Sequence, residues 1–316
     1  MLADSSYRRR APQWRHNEHK VCMALRYWIV LTILFGGFVA LMPGIYVRLA
    51  AGDPHMTGAL LGGLFAAAAT ALGTIPAILT RQLSQRFIDT LMGFGAGVML
   101  AATSFSLIIP ALDIAAVQGA GSWLAGGIVG GGIMLGALCL LMIERVVPHE
   151  HFVKGLEGGA RSEVNIEQAK TLKRIWLFVT AIVLHNFPEG MAIGVSFAGP
   201  DLVGAKALAV GIAIQDIPEG FVVALALMSV GYSKGLAIGV GTLSGLVEPV
   251  AALLGVALVG LSVHLLPWGL AIAAGAMLFV ISHEIIPESH RAGHESWATG
   301  GLIIGFVLMM LLDTAL

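Results

Sequence analysis

Residues 184–194 read LHNFPEGMAIG, and residues 214–224 read IQDIPEGFVVA. Both stretches interrupt long apolar runs, where a histidine or a carboxylate is costly without a partner. At an offset of thirty they match position for position: His185 with Gln215, Asn186 with Asp216, Pro188 with Pro218, Glu189 with Glu219 and Gly190 with Gly220. On a helix His185 and Glu189 are i and i+4, and Asn186 and Glu189 are i and i+3, so the glutamate shares a face with both. Gln215, Asp216 and Glu219 repeat the arrangement. Each proline also deprives a carbonyl, that of Leu184 or of Ile214, of its helical donor. In hydrocarbon such a carbonyl needs a protein partner or a watery cavity.

The surrounding chain explains why hydrocarbon is the right setting. Of 316 residues, 57% are hydrophobic and 12% charged, whereas a soluble domain carries about 25% charged residues. The length suffices for eight or nine helical spans of about 20 residues each. Forty-one glycines suit the close helix packing that small residues allow in lipid. Two cysteines, Cys22 and Cys139, make no disulfide framework. A net charge of −1 gives no sign of a nucleic-acid partner. The fold class expected is an all-α polytopic membrane protein.

Nine spans are expected, at about 27–47, 56–80, 90–111, 122–144, 174–198, 204–230, 235–260, 264–287 and 297–315. Residues 1–26 form a basic N-terminal segment. The run at 27–47 is longer than a signal-peptide core and lacks a small-residue cleavage site, so it reads as a span. The long polar connection at 145–173 contains PHEH at 148–151. With the N-terminus in the cytoplasm, 16 lysines and arginines fall inside and two, Arg48 and Lys206, outside. That asymmetry fits the positive-inside rule and puts the 145–173 loop in the cytoplasm and the C-terminus outside. The localisation expected is the cell membrane.

The fifth and sixth spans are joined near 199–203, which makes them antiparallel neighbours. His185 lies about 11 residues into its span, roughly 16 Å deep, close to the bilayer midplane. A third span adds GLVEPVA at 245–251, with Glu248 before a proline. Glu189, Asp216, Glu219 and Glu248 thus lie at membrane depth with no lysine or arginine beside them in these spans. Ionised and unpaired, each would cost several kcal/mol, so protons or metal ions must neutralise them. One imidazole, several carboxylates and two amides suit a divalent cation of borderline hardness such as Zn²⁺. Shared carboxylates could bridge two ions.

Other readings weigh less. A single intramembrane glutamate is often a structural hydrogen-bond partner, but two matched clusters and a third acid are too many for that role. A proton-coupled carrier of another small cation would use the carboxylates as a relay. An intramembrane metalloenzyme would need a site such as H-E-x-x-H, which is absent, and no nucleophile is evident, so no catalytic function is expected. SHEIIPESHRAGHE at 282–295 offers His283, Glu284, His290 and His294 as an exit path for metal; His283 and Glu284, being adjacent, point about 100° apart.

At HNFPEG (185–190), QDIPEG (215–220), GLVEP (245–249) and SHEIIPESHR (282–291) the sequence resembles the ZIP (Zrt/Irt-like protein) family of divalent-metal transporters, in its bacterial form with an extra N-terminal span. The resemblance covers about residues 56–316. It implies uptake into the cytoplasm of Zn²⁺, with Cd²⁺, Fe²⁺ or Mn²⁺ as competitors, carried as substrate rather than as a catalytic cofactor. It implies a main ion on His185, Glu189, Gln215 and Glu219 with Met99 nearby. A second ion would take Asn186, Asp216 and Glu248 and share Glu189 and Glu219. The family fold implied is an eight-helix bundle with a 3+2+3 inverted repeat. In an elevator-like motion, spans two, five, six and seven would move against three, four, eight and nine. Dimers are common in the family, which makes a homodimer a further implication, beside the lipid bilayer and the metal ions as partners.

Overall fold

The computed structural model describes residues 36, 39–79, 84–146 and 163–315. The helices are α1 (Val39–Ala50), α2 (Pro54–Leu79), α3 (Gln85–Val117), α4 (Ser122–Val146), α5 (Glu163–Ala198), α6 (Leu202–Ser229), α7 (Lys234–Val259), α8 (Val263–His290) and α9 (Glu295–Ala315). Among the described residues there is no strand, and seven helices are long and apolar enough to cross a membrane. The chain is an all-α polytopic membrane protein. Residues 1–26, and all of the first expected span before residue 39 except Gly36, lie outside the described residues.

The expected spans match α2 to α9 with shifted ends. The largest shift concerns the 145–173 connection. Helix α4 continues to Val146 and α5 begins at Glu163, so only residues 147–162 separate them. The segment EVNIEQAKTLKR at 163–174 is polar, but it is rich in good helix formers and prolongs the span behind it.

Packing divides α2 to α9 into two groups of four. In one, α2 packs most closely on α6 and α7, and α5 on α7; in the other, α3 packs most closely on α9, and α4 on α8. Exchanging α2 with α7, α3 with α8, α4 with α9 and α5 with α6 maps each close pair onto another or, for α2–α7, onto itself, which is the pattern of a 3+2+3 inverted repeat. Local detail follows the same exchange. Helices α3 and α8 each contain a wider π-helical turn, at Ala102–Ile108 and Ile281–Ile285. Each turn runs into Ile-Ile-Pro, ending at Pro110 and Pro287. A proline cannot donate to the carbonyl one turn back. The chain instead closes i to i+5 bonds, from Ile109 N–H to Ser104 O and from Ile286 N–H to Ile281 O.

Inside each group the backbones touch. A Cβ at Gly97 would run into the carbonyl of Leu302, one at Gly136 into that of Ile272, and one at Gly194 into that of Ala252. Between the groups the neighbours are side chains: Gly211 of α6 faces the Met309 thioether of α9, and Gly269 of α8 faces Val195 of α5. Interlocked backbones resist sliding, whereas side-chain contacts can be exchanged.

Gly97→Leu should therefore cost about 1–3 kcal/mol or more through overpacking. Gly126→Leu, at an exposed position of α4 with nothing within 4 Å, should be nearly neutral. Thermal unfolding of the purified variants in detergent checks the contrast; equal melting temperatures would mean that the α3–α9 contact yields.

Candidate metal centre

Glu189 of the first knot lies against Gln215, Asp216 and Glu219 of the second. Helices α5 and α6 run on through Pro188 and Pro218. His185, Asn186 and Glu189 of α5 and Gln215 and Asp216 of α6 are all buried, Glu189 completely. Glu219 is half-buried. One carboxylate oxygen each from Glu189, Asp216 and Glu219 lies within 4.8 Å of the others.

Helix α7 supplies the fourth acid through a break. It is interrupted at Leu246, between Lys234–Gly245 and Val247–Val259. Glu248 sits in the first turn of the second segment, fully buried, where the positive end of the helix dipole favours a carboxylate. Gly190 allows this approach, because a Cβ there would meet the backbone of Glu248 and the Ala251 side chain.

The hydrogen bonds leave one side of this cluster unused. Gln215 Nε2 donates to Glu189 Oε1 (2.5 Å) and to Asp216 Oδ1 (2.8 Å). Thr70 Oγ1 donates to Glu248 Oε1 at 3.2 Å. Buried and without a hydrogen bond are Asn186 Nδ2 and Oδ1, Glu189 Oε2, Asp216 Oδ2, Glu219 Oε1 and Glu248 Oε2. A buried polar atom left unpaired costs about 1–3 kcal/mol, and more when charged. Among the described residues no lysine or arginine is buried. The clustered carboxylates of Glu189, Asp216 and Glu219, with the buried, unpartnered atoms of Asn186 and Glu248, offer a donor set suited to a hard or borderline divalent cation.

His185 borders the cluster on the α8 side. Its Nε2 lies 2.8 Å from Glu284 Oε2, an ion-pair distance that lacks hydrogen-bond alignment. Met99 is buried on α3, four residues from Gly95, where a Cβ would lie 3.8 Å from Gln215 Oε1. Gly95 and Met99 share a face of α3, so that face is turned toward α6. Of the remaining exit-path candidates, His283 stacks on Phe279 with ring centroids 5.0 Å apart. His290 is engaged with Ser289 and Thr299, and His294 Nδ1 lies 2.9 Å from Asp89 Oδ2. Glu284 is thus the one of the four that the structure sets against His185.

Two features were missed from the sequence. Thr70 is one residue in an alanine-rich run of α2, with no pattern to mark it. At the other end of the bundle, a cavity of about 320 Å³ is lined by Ser106, Asp113, Asp201 and Asp313. Ser106 Oγ donates to Asp313 there; its acids are scattered over two helices and a loop, and only folding collects them.

The model of the family described as ZIP zinc transporter matches residues 149–313. The chain is 47% identical to the zinc transporter GufA of Myxococcus xanthus over 83% of its own length and 100% of that protein's. The chain belongs to the ZIP family. This ZIP protein is also 47% identical to the zinc transporter ZIPB of Bordetella bronchiseptica, over 83% of this chain and 82% of that one. Its identity to the human zinc transporter ZIP11 is 32%, over 84% and 99% of the two chains.

A cation in the cluster changes what Glu219 does for stability. In the presence of a chelator its carboxylate only adds like charge, so Glu219→Gln should unfold at a higher temperature than wild type. With zinc at 100 times the dissociation constant the wild type should gain about 2.7 kcal/mol, and Glu219→Gln much less. Melting curves with and without zinc check this. A lower melting temperature of Glu219→Gln in chelator would make Glu219 a structural acceptor.

Proposed function

We propose that this chain carries divalent transition-metal cations, zinc foremost, across the cell membrane into the cytoplasm. The observation that carries the reading is the cluster of Glu189, Asp216 and Glu219 carboxylates, with six buried, unpartnered polar side-chain atoms on α5, α6 and α7 and, among the described residues, no buried lysine or arginine. The zinc-transporter names of the relatives agree with it. The main ion binds His185, Glu189, Gln215 and Glu219, with Met99 alongside. The second binds Asn186, Asp216 and Glu248 and shares Glu189 and Glu219. Cadmium, iron(II) and manganese(II) have chemistry close enough to compete.

The packing supports an elevator-like movement. His185, Asn186, Glu189, Gln215, Asp216, Glu219 and Glu248 belong to the group α2, α5, α6 and α7, whose backbones interlock, and this group slides as a body against α3, α4, α8 and α9, the group that carries Met99. Glu284 belongs to the second group and lies against His185, so it receives the ion as the first group moves and starts an inward path past His283. Such a carrier takes its ion from the outer cavity and never opens to both sides at once.

Flux into proteoliposomes tests the reading with zinc, cadmium, iron(II) and manganese(II) under imposed pH or voltage gradients. His185→Ala should fall at least about 100-fold below wild type, beyond the 10–100-fold that outer-shell groups cost. Glu248→Ala should slow or retune transport without stopping it. Wild-type zinc uptake by His185→Ala would sink the site assignment.

Orientation has its own test in intact cells, in a background with Cys22 and Cys139 replaced by serine. A cysteine at Gly158 should resist an impermeant maleimide, and one at Leu316 should react. The opposite labelling would invert the proposed topology.

A further inference from the structure

Helix α2 brings no carboxylate to the centre, yet it is built into it. Thr70 is fully buried, and its hydroxyl donates to Glu248 Oε1 at 3.2 Å and lies 3.3 Å from Ala66 O. The hydroxyl has one proton and two candidate acceptors. An ionised carboxylate accepts more strongly than a backbone carbonyl, so an anionic Glu248 holds that proton.

Thr70 has little freedom to be elsewhere. A Cβ on Gly220, the glycine of the second knot, would run into the Thr70 carbonyl. One on Gly245, beside the break in α7, would sit 2.9 Å from Thr70 Cβ and 3.0 Å from its Oγ1. The inverted repeat gives this contact a meaning. Gly190, the glycine of the first knot, packs on the backbone of Glu248; Gly220 packs on the backbone of Thr70. Exchanging α5 with α6 and α7 with α2 turns one contact into the other. Thr70 therefore occupies in the first repeat the place that Glu248 occupies in the second. The pseudo-symmetric centre is lopsided at this point, with an acid on one side and a hydroxyl on the other.

We propose that Thr70 is a positioning residue for the second ion: it engages Oε1 of Glu248 so that Oε2, buried and unpartnered, faces the cluster as a ligand. This rests on the two-ion reading of the centre. Without the hydroxyl, Glu248 loses the bond that selects its rotamer, and the second ion loses a fixed donor, while the ligands of the main ion stay in place.

The test uses the full-length protein purified in detergent. Zinc and cadmium binding are followed by equilibrium dialysis with mass-spectrometric metal counting, beside uptake in proteoliposomes. Wild type should bind two ions. Thr70→Val, nearly isosteric, should bind the second ion about tenfold more weakly, as expected for loss of a hydrogen bond to a charged group, with the first ion unchanged. Thr70→Ala also lacks the hydroxyl, without introducing a new contact, and should repeat the valine result. Thr70→Ser keeps the hydroxyl and should stay within about threefold of wild type. Second-ion affinity unchanged in Thr70→Val and Thr70→Ala would overturn the proposal. So would a serine variant as weak as valine, which would assign Thr70 to packing alone. A wild type that binds fewer than two ions would refute the two-ion reading itself, and the role of Thr70 with it; the wild-type count alone identifies that case.

Discussion

Four buried or half-buried carboxylates cluster at the middle of a membrane protein, and among the described residues no lysine or arginine is buried with them. The rest of the structure is arranged around that fact. Ionised, they repel one another and have lost their water; an isolated buried ion costs several kcal/mol even after relaxation. In the proposed reading a divalent cation would resolve the conflict, because it would supply the missing positive charge and take up the unpaired oxygens together.

Bringing the acids together demands close helices, and close helices demand glycine. Gly190 lets α5 lie on the backbone of Glu248, and Gly220 lets α6 lie on that of Thr70. The break in α7 at Leu246 places Glu248 on the first turn of a new helical segment, where the peptide dipoles support its charge. The same backbone contacts that assemble the centre also tie α2, α5, α6 and α7 into one body. The contacts to the other four helices run through buried side chains such as Met309 and Val195 rather than through backbone.

Much of this was legible in the sequence because it is local. The two knots repeat at an offset of thirty, and helical spacing alone puts His185 with Glu189 and Gln215 with Glu219. Apolar runs marked the spans, and Glu248 stood out as an acid in hydrocarbon. What was not legible depends on which helix packs on which. The approach of Glu284 to His185 requires α8 to lie on α5, and the engagement of His294 with Asp89 requires α9 to lie on α3. Thr70 carries no signal at all, since a threonine among alanines is ordinary in a membrane helix. The helical extension back to Glu163 was hidden by polarity, which marks exposure and not the absence of a helix. The π-helical turns follow from Pro110 and Pro287, but proline alone does not say whether a helix widens, kinks or, as at Pro188, runs on.

X-ray absorption at the zinc edge of the purified, zinc-loaded protein probes the proposal that oxygen-rich ligands, with one imidazole, hold a divalent cation in this cluster. A nitrogen and oxygen shell at about 2.0–2.2 Å is expected, with an imidazole contribution that disappears in His185→Ala. A shell dominated by sulfur at about 2.3 Å, or an imidazole signal indifferent to His185, would contradict it.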